Sequence, residues 1–132
     1  MDDCIFCRIA KKEILAELVY EDGSFIAFLD NDPEVDGHIL LMPKAHFHTI
    51  LEMPSTMGMG LISVAKKIAA ELIKKGKAEG FHILANNGKA AQQVVDHVHF
   101  HILPRKKGDG VELKVVNGLR DKKTSRKMIR FA

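Results

Sequence analysis

Apolar residues along this chain follow two different periods. Leu18-Val19-Tyr20, Phe25-Ile26-Ala27-Phe28-Leu29, Gly37-His38-Ile39-Leu40-Leu41-Met42 and Phe81-His82-Ile83-Leu84-Ala85 are short apolar runs bounded by turn-forming residues, and each predicts a strand. Glu21-Asp22-Gly23-Ser24 turns the chain between the first two. Asp30-Asn31-Asp32-Pro33 ends the second, because Pro33 has no N–H for a ladder. A last strand is predicted over Val98 to Leu103. Between the third and fourth runs the period changes: Leu61, Val64, Ile68 and Leu72 recur every three or four residues, and Ala65 and Ala69 widen the stripe. That spacing predicts one long helix from Ser55 to Lys75, stopped at Gly76. A short helix over residues 4–11 precedes the strands, with Ile5, Phe6 and Ile9 as its apolar stripe and Asp2 or Asp3 as its cap. Successive short strands interrupted by a single long helix imply an antiparallel α+β domain rather than a βαβ array.

Composition narrows the class. A chain of 132 residues, 46% hydrophobic and 28% charged, is expected to form one globular domain. No apolar run approaches the roughly 18–20 residues that span a bilayer, and Met1-Asp2-Asp3 does not open a signal peptide, so the cytoplasm is the expected location. The net charge of +3 is unevenly spread. Residues 1–103 carry 10 Lys/Arg against 14 Asp/Glu, whereas residues 104–132 carry 10 against 3, a basic extension from about residue 106. Such a tail suits an anionic partner or simply a solvated surface; with Phe131 its only aromatic residue, it offers little for base stacking, and nucleic acid is not the expected partner.

The only two cysteines, Cys4 and Cys7, are spaced C-x-x-C. A redox pair normally opens a helix that follows a strand, and no strand precedes this one. Half of a zinc site is the better reading, provided two further ligands exist.

The chemistry concentrates in His97-Val98-His99-Phe100-His101-Ile102-Leu103. In a helix His99 would point away from its two neighbours. In a strand all three imidazoles share one face, spaced roughly 6.6 Å apart, while Val98, Phe100 and Ile102 bury the other. Two chemistries use such a row. A His-x-His pair can chelate a catalytic metal whose bound water attacks. Alternatively the central imidazole attacks phosphorus itself, forming a phosphoramidate that water then opens.

Residues 97–103 match His-φ-His-φ-His-φ-φ, with φ apolar, at every position. With Cys4-Ile5-Phe6-Cys7-Arg8-Ile9, Gly37-His38-Ile39-Leu40-Leu41-Met42-Pro43-Lys44-Ala45-His46 and Leu103-Pro104-Arg105, the chain resembles the histidine triad (HIT) family of nucleotide-binding hydrolases and transferases over about residues 4–105. The resemblance implies a HIT-like fold, an antiparallel five-stranded sheet with one long and one short helix, in a homodimer whose sheets join. It makes His99 the nucleophile toward a nucleoside α-phosphate, with the His97 carbonyl holding its tautomer and His101 contacting the phosphate and leaving group. Gln93 matches a glutamine that contacts the phosphate, Asn86 a polar residue of the same pocket, and His38 a supporting histidine. Asp30 falls where a carboxylate or amide binds the ribose hydroxyls; the alternative is a carboxylate that only stabilises the turn before Asn31-Asp32-Pro33. Ile5, Phe6, Ile9 and Phe28 fall where members wall a purine base, and each equally suits a core. A structural zinc is implied on Cys4, Cys7, His46 and His97, with His48 the competing ligand; His82 is expected to have no special role.

Two positions depart from the family pattern. Gln92 stands where members commonly carry Gly, and Val94 where several branches carry Ser or Thr. The first bears on the geometry of the phosphate loop. The second removes a hydroxyl from the leaving-group side. The rival readings are a hydrolase whose triad binds a catalytic metal, and a nucleotide sensor that performs no chemistry.

Overall fold

The computed structural model describes residues 3–112. The chain forms α1 (Ile5–Ala10), β1 (Leu18–Glu21), β2 (Phe25–Leu29), β3 (Ile39–Pro43), a 3₁₀ turn (Ser55–Met57) running into α2 (Gly58–Lys74), β4 (Gly80–Leu84), a second 3₁₀ turn (Lys89–Ala91) and β5 (Phe100–Arg105). All strand pairs are antiparallel and the sheet order is β1-β2-β3-β5-β4. This is the α+β architecture the two periods predict.

Both faces of the central strands are covered. Phe25, Ala27, Ile39, Leu41, Phe100 and Ile102 meet Leu61, Val64, Ala65 and Ile68 of α2. The alternate residues Ile26, Phe28, Leu40 and Met42 meet Phe6 and Ile9 of α1. That is why β2 and β3 read as unbroken apolar runs rather than alternating ones. Helix α2 approaches the sheet closely at Gly60, where a Cβ would lie 2.9 Å from Phe25 Cε2.

Several boundaries shift for local reasons. Helix α1 is capped by Cys4, whose Sγ accepts the Cys7 N–H at 3.4 Å, and not by Asp3; Asp2, the other expected cap, lies outside the described residues. Strand β3 begins at Ile39 because Gly37, at φ +77°, is still in the turn. The strand predicted over Val98–Leu103 runs instead from Phe100 to Arg105. Val98 gives its N–H to the Phe47 carbonyl at 2.7 Å, a loop partner, so the ladder with β3 starts only at Leu41↔Phe100. At the other end β3 stops at Ile39↔Ile102, and Pro104 lies on a stretch paired only with β4, where a missing N–H is tolerated. The in-out alternation nevertheless extends back through residue 98: Val98 lies in the α2-side core with Phe100 and Ile102. No helix among the described residues is long and apolar enough to cross a membrane. Most of the basic extension, residues 113–132, lies outside the described residues.

Candidate active site and metal centre

The three histidines occupy the α1 side of the sheet. Phe6 meets the rings of His97 and His99 edge-on, at centroid distances of 6.0 and 5.0 Å, and the His99 and His101 rings are 5.1 Å apart. They therefore share a face as predicted, although only His101 lies within β5.

Their hydrogen bonds determine which ring nitrogen carries each proton. A carbonyl can only accept, so His99 donates Nδ1–H to the His97 carbonyl at 2.7 Å, and its Nε2 keeps a free lone pair. By the same logic His97 donates Nε2–H to the Pro43 carbonyl at 2.8 Å, leaving its Nδ1 lone pair free. At His38 the constraint is reversed. The Glu34 N–H donates to His38 Nδ1 at 3.1 Å, so the proton sits on Nε2 and is donated to His101 Nδ1 at 2.8 Å. His101 must then carry its own proton on Nε2. A single backbone amide thus sets two tautomers in series.

This logic requires neutral rings, and burial supplies them. It pushes His97 down to about 4, with nearby His46 and His99 adding to the effect against the Pro43 hydrogen bond. It pushes His101 down to about 4, with His99 and His38 adding. His38 and His99 also fall below the ordinary histidine value through burial, opposed at His38 by the Asp30 and Glu34 charges and at His99 by the hydrogen bond to His97. Asp30 divides its oxygens: Oδ1 accepts the Asp32 N–H at 2.9 Å, stabilising the turn, and Oδ2 lies 3.6 Å from His38 Nε2.

Gln93 is buried, and the structure gives it an arrangement different from the expected phosphate contact. Its amide N–H groups go to the carbonyls of His48 at 2.7 Å and Val95 at 3.0 Å, while its oxygen accepts the Gly88 N–H at 2.7 Å. Every polar group of that side chain is spent on shaping the loop. Asn86 braces the same loop by donating to the Ala91 carbonyl at 2.8 Å. Within it Gln92 adopts φ 68°, ψ 29°, the left-handed conformation in which a glycine carries no Cβ penalty. Gln92→Gly is expected to stabilise the protein by about 0.5–1 kcal/mol, raising the melting temperature by about 2–5 °C. A lower melting temperature would contradict this account of the loop. Val94 is 90% exposed.

Of the residues matched to a base wall, Phe6, Ile9 and Phe28 are buried together, with Phe6 and Phe28 in an edge-to-face pair at 5.5 Å, and Ile5 is exposed. His82, expected to be idle, accepts from Arg105 Nη1 at 3.2 Å; Arg105 also grips both oxygens of Asp109 at 2.8 and 3.0 Å. A cleft of about 560 Å³ between Pro33–Gly37 and Lys106–Val111 is lined by none of the three histidines.

Cys4, Cys7, His46 and His97 bring one ligand atom each to within 4.8 Å of one another. Cys7 Sγ lies 3.2 Å from His46 Nδ1 and 3.5 Å from His97 Nδ1, and Cys4 Sγ lies 3.5 Å from His97 Nδ1. Zn–S bonds of about 2.3 Å and Zn–N bonds of about 2.0–2.1 Å in a tetrahedron put S and N about 3.5 Å apart, so the donor set fits zinc in both chemistry and size. His97 Nδ1 presents the lone pair a metal needs, and its hydrogen bond to Pro43 orients the ring. His48 stands edge-on to His46, at 5.2 Å, outside this group. Without a metal, burial, followed by the hydrogen bond and charge of Cys4, pushes the Cys7 thiol up to about 11, so binding an ion must displace its proton. Asp30, His38 and His101 also cluster. There, however, the Glu34 amide occupies the other His38 nitrogen and keeps a proton on the one facing the cluster, which disfavours a metal.

The HIT domain family model matches residues 11–108. An uncharacterized HIT-like protein of Methanocaldococcus jannaschii is 47% identical over 111 residues, covering 84% of this chain and 85% of its own length. An adenosine 5'-monophosphoramidase of Candida albicans is 38% identical over 107 residues, covering 78% and 70% respectively. Among solved structures, a Zn-bound histidine triad family protein from Mycobacterium smegmatis superposes with a TM-score of 0.80 at 35% identity, covering 85% of this chain and 81% of that one. The imidazole row, the sheet that presents it and these likenesses agree: this chain belongs to the HIT family.

Proposed function

We propose that this protein is a nucleotide hydrolase or transferase that cleaves a phosphoramidate or phosphoanhydride bond at a nucleoside α-phosphate through a nucleotidyl-His99 intermediate. The observation that carries the reading is the 2.7 Å hydrogen bond from His99 Nδ1–H to the His97 carbonyl, which leaves Nε2 unprotonated and nucleophilic. Nε2 forms a bond to the α-phosphorus as the bond to the leaving nitrogen or oxygen breaks, and the leaving group departs with a proton taken from solvent. Water then opens the N–P bond, releasing the nucleoside monophosphate and restoring neutral His99; transfer uses another acceptor in place of water. His101, held as an Nε2–H donor by His38, is placed to hydrogen-bond the phosphoryl oxygens or the leaving atom.

Asp30 binds the ribose through the oxygen not used by the turn, and α1 with Phe28 supplies the apolar side for a purine base. Gln93 and Asn86 act by shaping the loop beside the phosphate. The Candida relative, an adenosine 5'-monophosphoramidase, supports a nucleoside phosphoramidate as the substrate class to test first. Cys4, Cys7, His46 and His97 hold a zinc ion whose contribution is structural, tying α1 to the segment ahead of β5. The chain acts in the cytoplasm as one domain with a basic extension from about Lys106. It pairs as a homodimer through the outer edge of β4, which no other described strand pairs with and where Phe81 and Ile83 are 41% and 47% exposed. The alternative in which the triad chelates a catalytic ion fits less well, because the three Nδ1 atoms face three different partners.

The direct test is to stop the reaction in alkali during turnover of an adenosine phosphoramidate labelled at phosphorus. Label should remain on the protein in base and leave it in mild acid, the behaviour of a phosphorus–imidazole bond. Turnover with no protein-bound label at any time would overturn the covalent route.

A further inference from the structure

The zinc centre and the nucleotide pocket share one six-residue element. Helix α1 carries Cys7, is capped by Cys4, and also supplies Phe6, whose ring stands 5.0 Å from His99. The centre is not sealed: a surface cleft of about 390 Å³ is lined by Cys7, His46, Ala10, Lys11 and Lys44. Cys4 is partly exposed as well. A small solute can therefore reach two ligand residues directly, and the two sulfurs sit three residues apart around one helix start.

From this juxtaposition we propose that Cys4 and Cys7 form a redox modification site, oxidised by a hydroperoxide to a disulfide that releases the zinc and detaches α1 from the nucleotide pocket. The proposal rests on the reading of the four ligands as a zinc site. The Cys7 thiolate attacks the nearer peroxide oxygen, the O–O bond breaks, and hydroxide (or alkoxide) leaves into the cleft that Lys11 and Lys44 line. The resulting Cys7 sulfenic acid is attacked at sulfur by the Cys4 thiolate. The S–O bond breaks, a second hydroxide leaves, and the S–S bond forms. The sulfur pair loses two electrons, the peroxide gains them, and two protons from solvent convert the oxygens to water (or water and alcohol).

The loss has two local consequences. A disulfide sulfur is a far poorer zinc ligand than a thiolate, so His46 and His97 lose their common partner. The Cys4 sulfur that accepted the Cys7 N–H becomes half of a cross-link, and the cap of a helix only six residues long is weakened. What remains to hold α1 is the burial of Phe6 and Ile9. Movement of α1 takes Phe6 away from His99 and removes one wall of the base pocket. Oxidation is thereby read out as weaker nucleotide binding.

The test uses the full-length wild-type protein loaded with zinc and treated with hydrogen peroxide. The metal content of the loaded protein is measured first; absence of zinc overturns the reading of the centre and, with it, the zinc-release step. With zinc present, the expected result is release of one ion per chain to a chromogenic chelator in step with loss of both thiols. The intact mass should fall by two hydrogens, and reductant plus zinc should reverse every change. Across the same titration the Kd for adenosine monophosphate should rise by about tenfold or more. Amide exchange at residues 5–10 should quicken whether or not the nucleotide reading holds. A chelator arm removes zinc without oxidation, and should leave both thiols and the intact mass unchanged. Thiols that survive peroxide sufficient to oxidise a free Cys-x-x-Cys peptide would overturn the proposal, as would a disulfide-bearing protein with unchanged exchange over α1.

Discussion

His99→Ala should lower turnover of a nucleoside phosphoramidate by about 10⁴-fold or more while leaving the affinity for adenosine monophosphate within a few-fold of the unmodified protein. A loss of that size corresponds to about 5–6 kcal/mol of transition-state stabilisation. It is large because no other group among the described residues is disposed to take over. The His101 ring is 5.1 Å away, and its Nδ1 is occupied by His38. Binding should survive because Asp30 and the α1 wall are untouched. The pH profile follows from the same atoms. The proposed covalent route requires neutral His99, and burial holds its pKa below the ordinary histidine value. Activity should therefore stay level through neutrality and fall only as acid protonates Nε2, with His101 following near its own value of about 4. Single-turnover kinetics and calorimetric binding on the two proteins check both halves. Residual turnover above a few per cent would place the nucleophile elsewhere.

The parts of this site that were legible from sequence depend on side-chain type at fixed spacing. Alternation of His with Val, Phe and Ile placed three imidazoles on one face, and that placement holds even where the segment leaves the ladder. A pattern of apolar residues reports which side is buried; it does not report which hydrogen-bond partner the backbone finds, so Val98 bonding to Phe47 was invisible. The same limit explains the other misses. The cap of α1 comes from the Cys4 sulfur rather than from Asp3, because Cys4 sits one residue before the helix with its sulfur turned toward the Cys7 amide. The Glu34 amide that sets the tautomers of His38 and His101 is a main-chain group common to every non-proline residue, and so carries no sequence signal. Gln93 was expected from the family resemblance to be a polar residue contacting phosphate. Its role as a three-way brace became visible only once His48, Val95 and Gly88 were brought around it. Gln92 is the converse case. The missing glycine was visible in the sequence, and the structure shows the loop keeping its left-handed turn with a side chain in place.

Removing zinc from the loaded protein should lower its melting temperature by about 10–20 °C. At free zinc a thousandfold above its Kd, the ion contributes about 4 kcal/mol, and for a domain of this size each kcal/mol moves the midpoint by roughly 3–5 °C. Cys7→Ser should show a comparable loss and no further response to chelator, since Cys7 lies within 3.5 Å of both histidine ligands. His48→Ala, outside the ligand group, should move the midpoint by less than about 2 °C, which separates loss of a ligand from loss of any nearby histidine. The same samples distinguish a structural from a catalytic ion. Below the lowered midpoint and at saturating substrate, kcat of the metal-free protein should fall by less than about tenfold, because the His99 nucleophile is set by a backbone carbonyl and owes nothing directly to the metal. Any loss of α1 packing should appear in KM. A metal that generates the attacking water would instead take kcat down by roughly 10³-fold or more on removal and restore it on reloading. A midpoint indifferent to chelator would remove zinc from the account, and leave Cys4, Cys7, His46 and His97 as a cluster held together by packing alone.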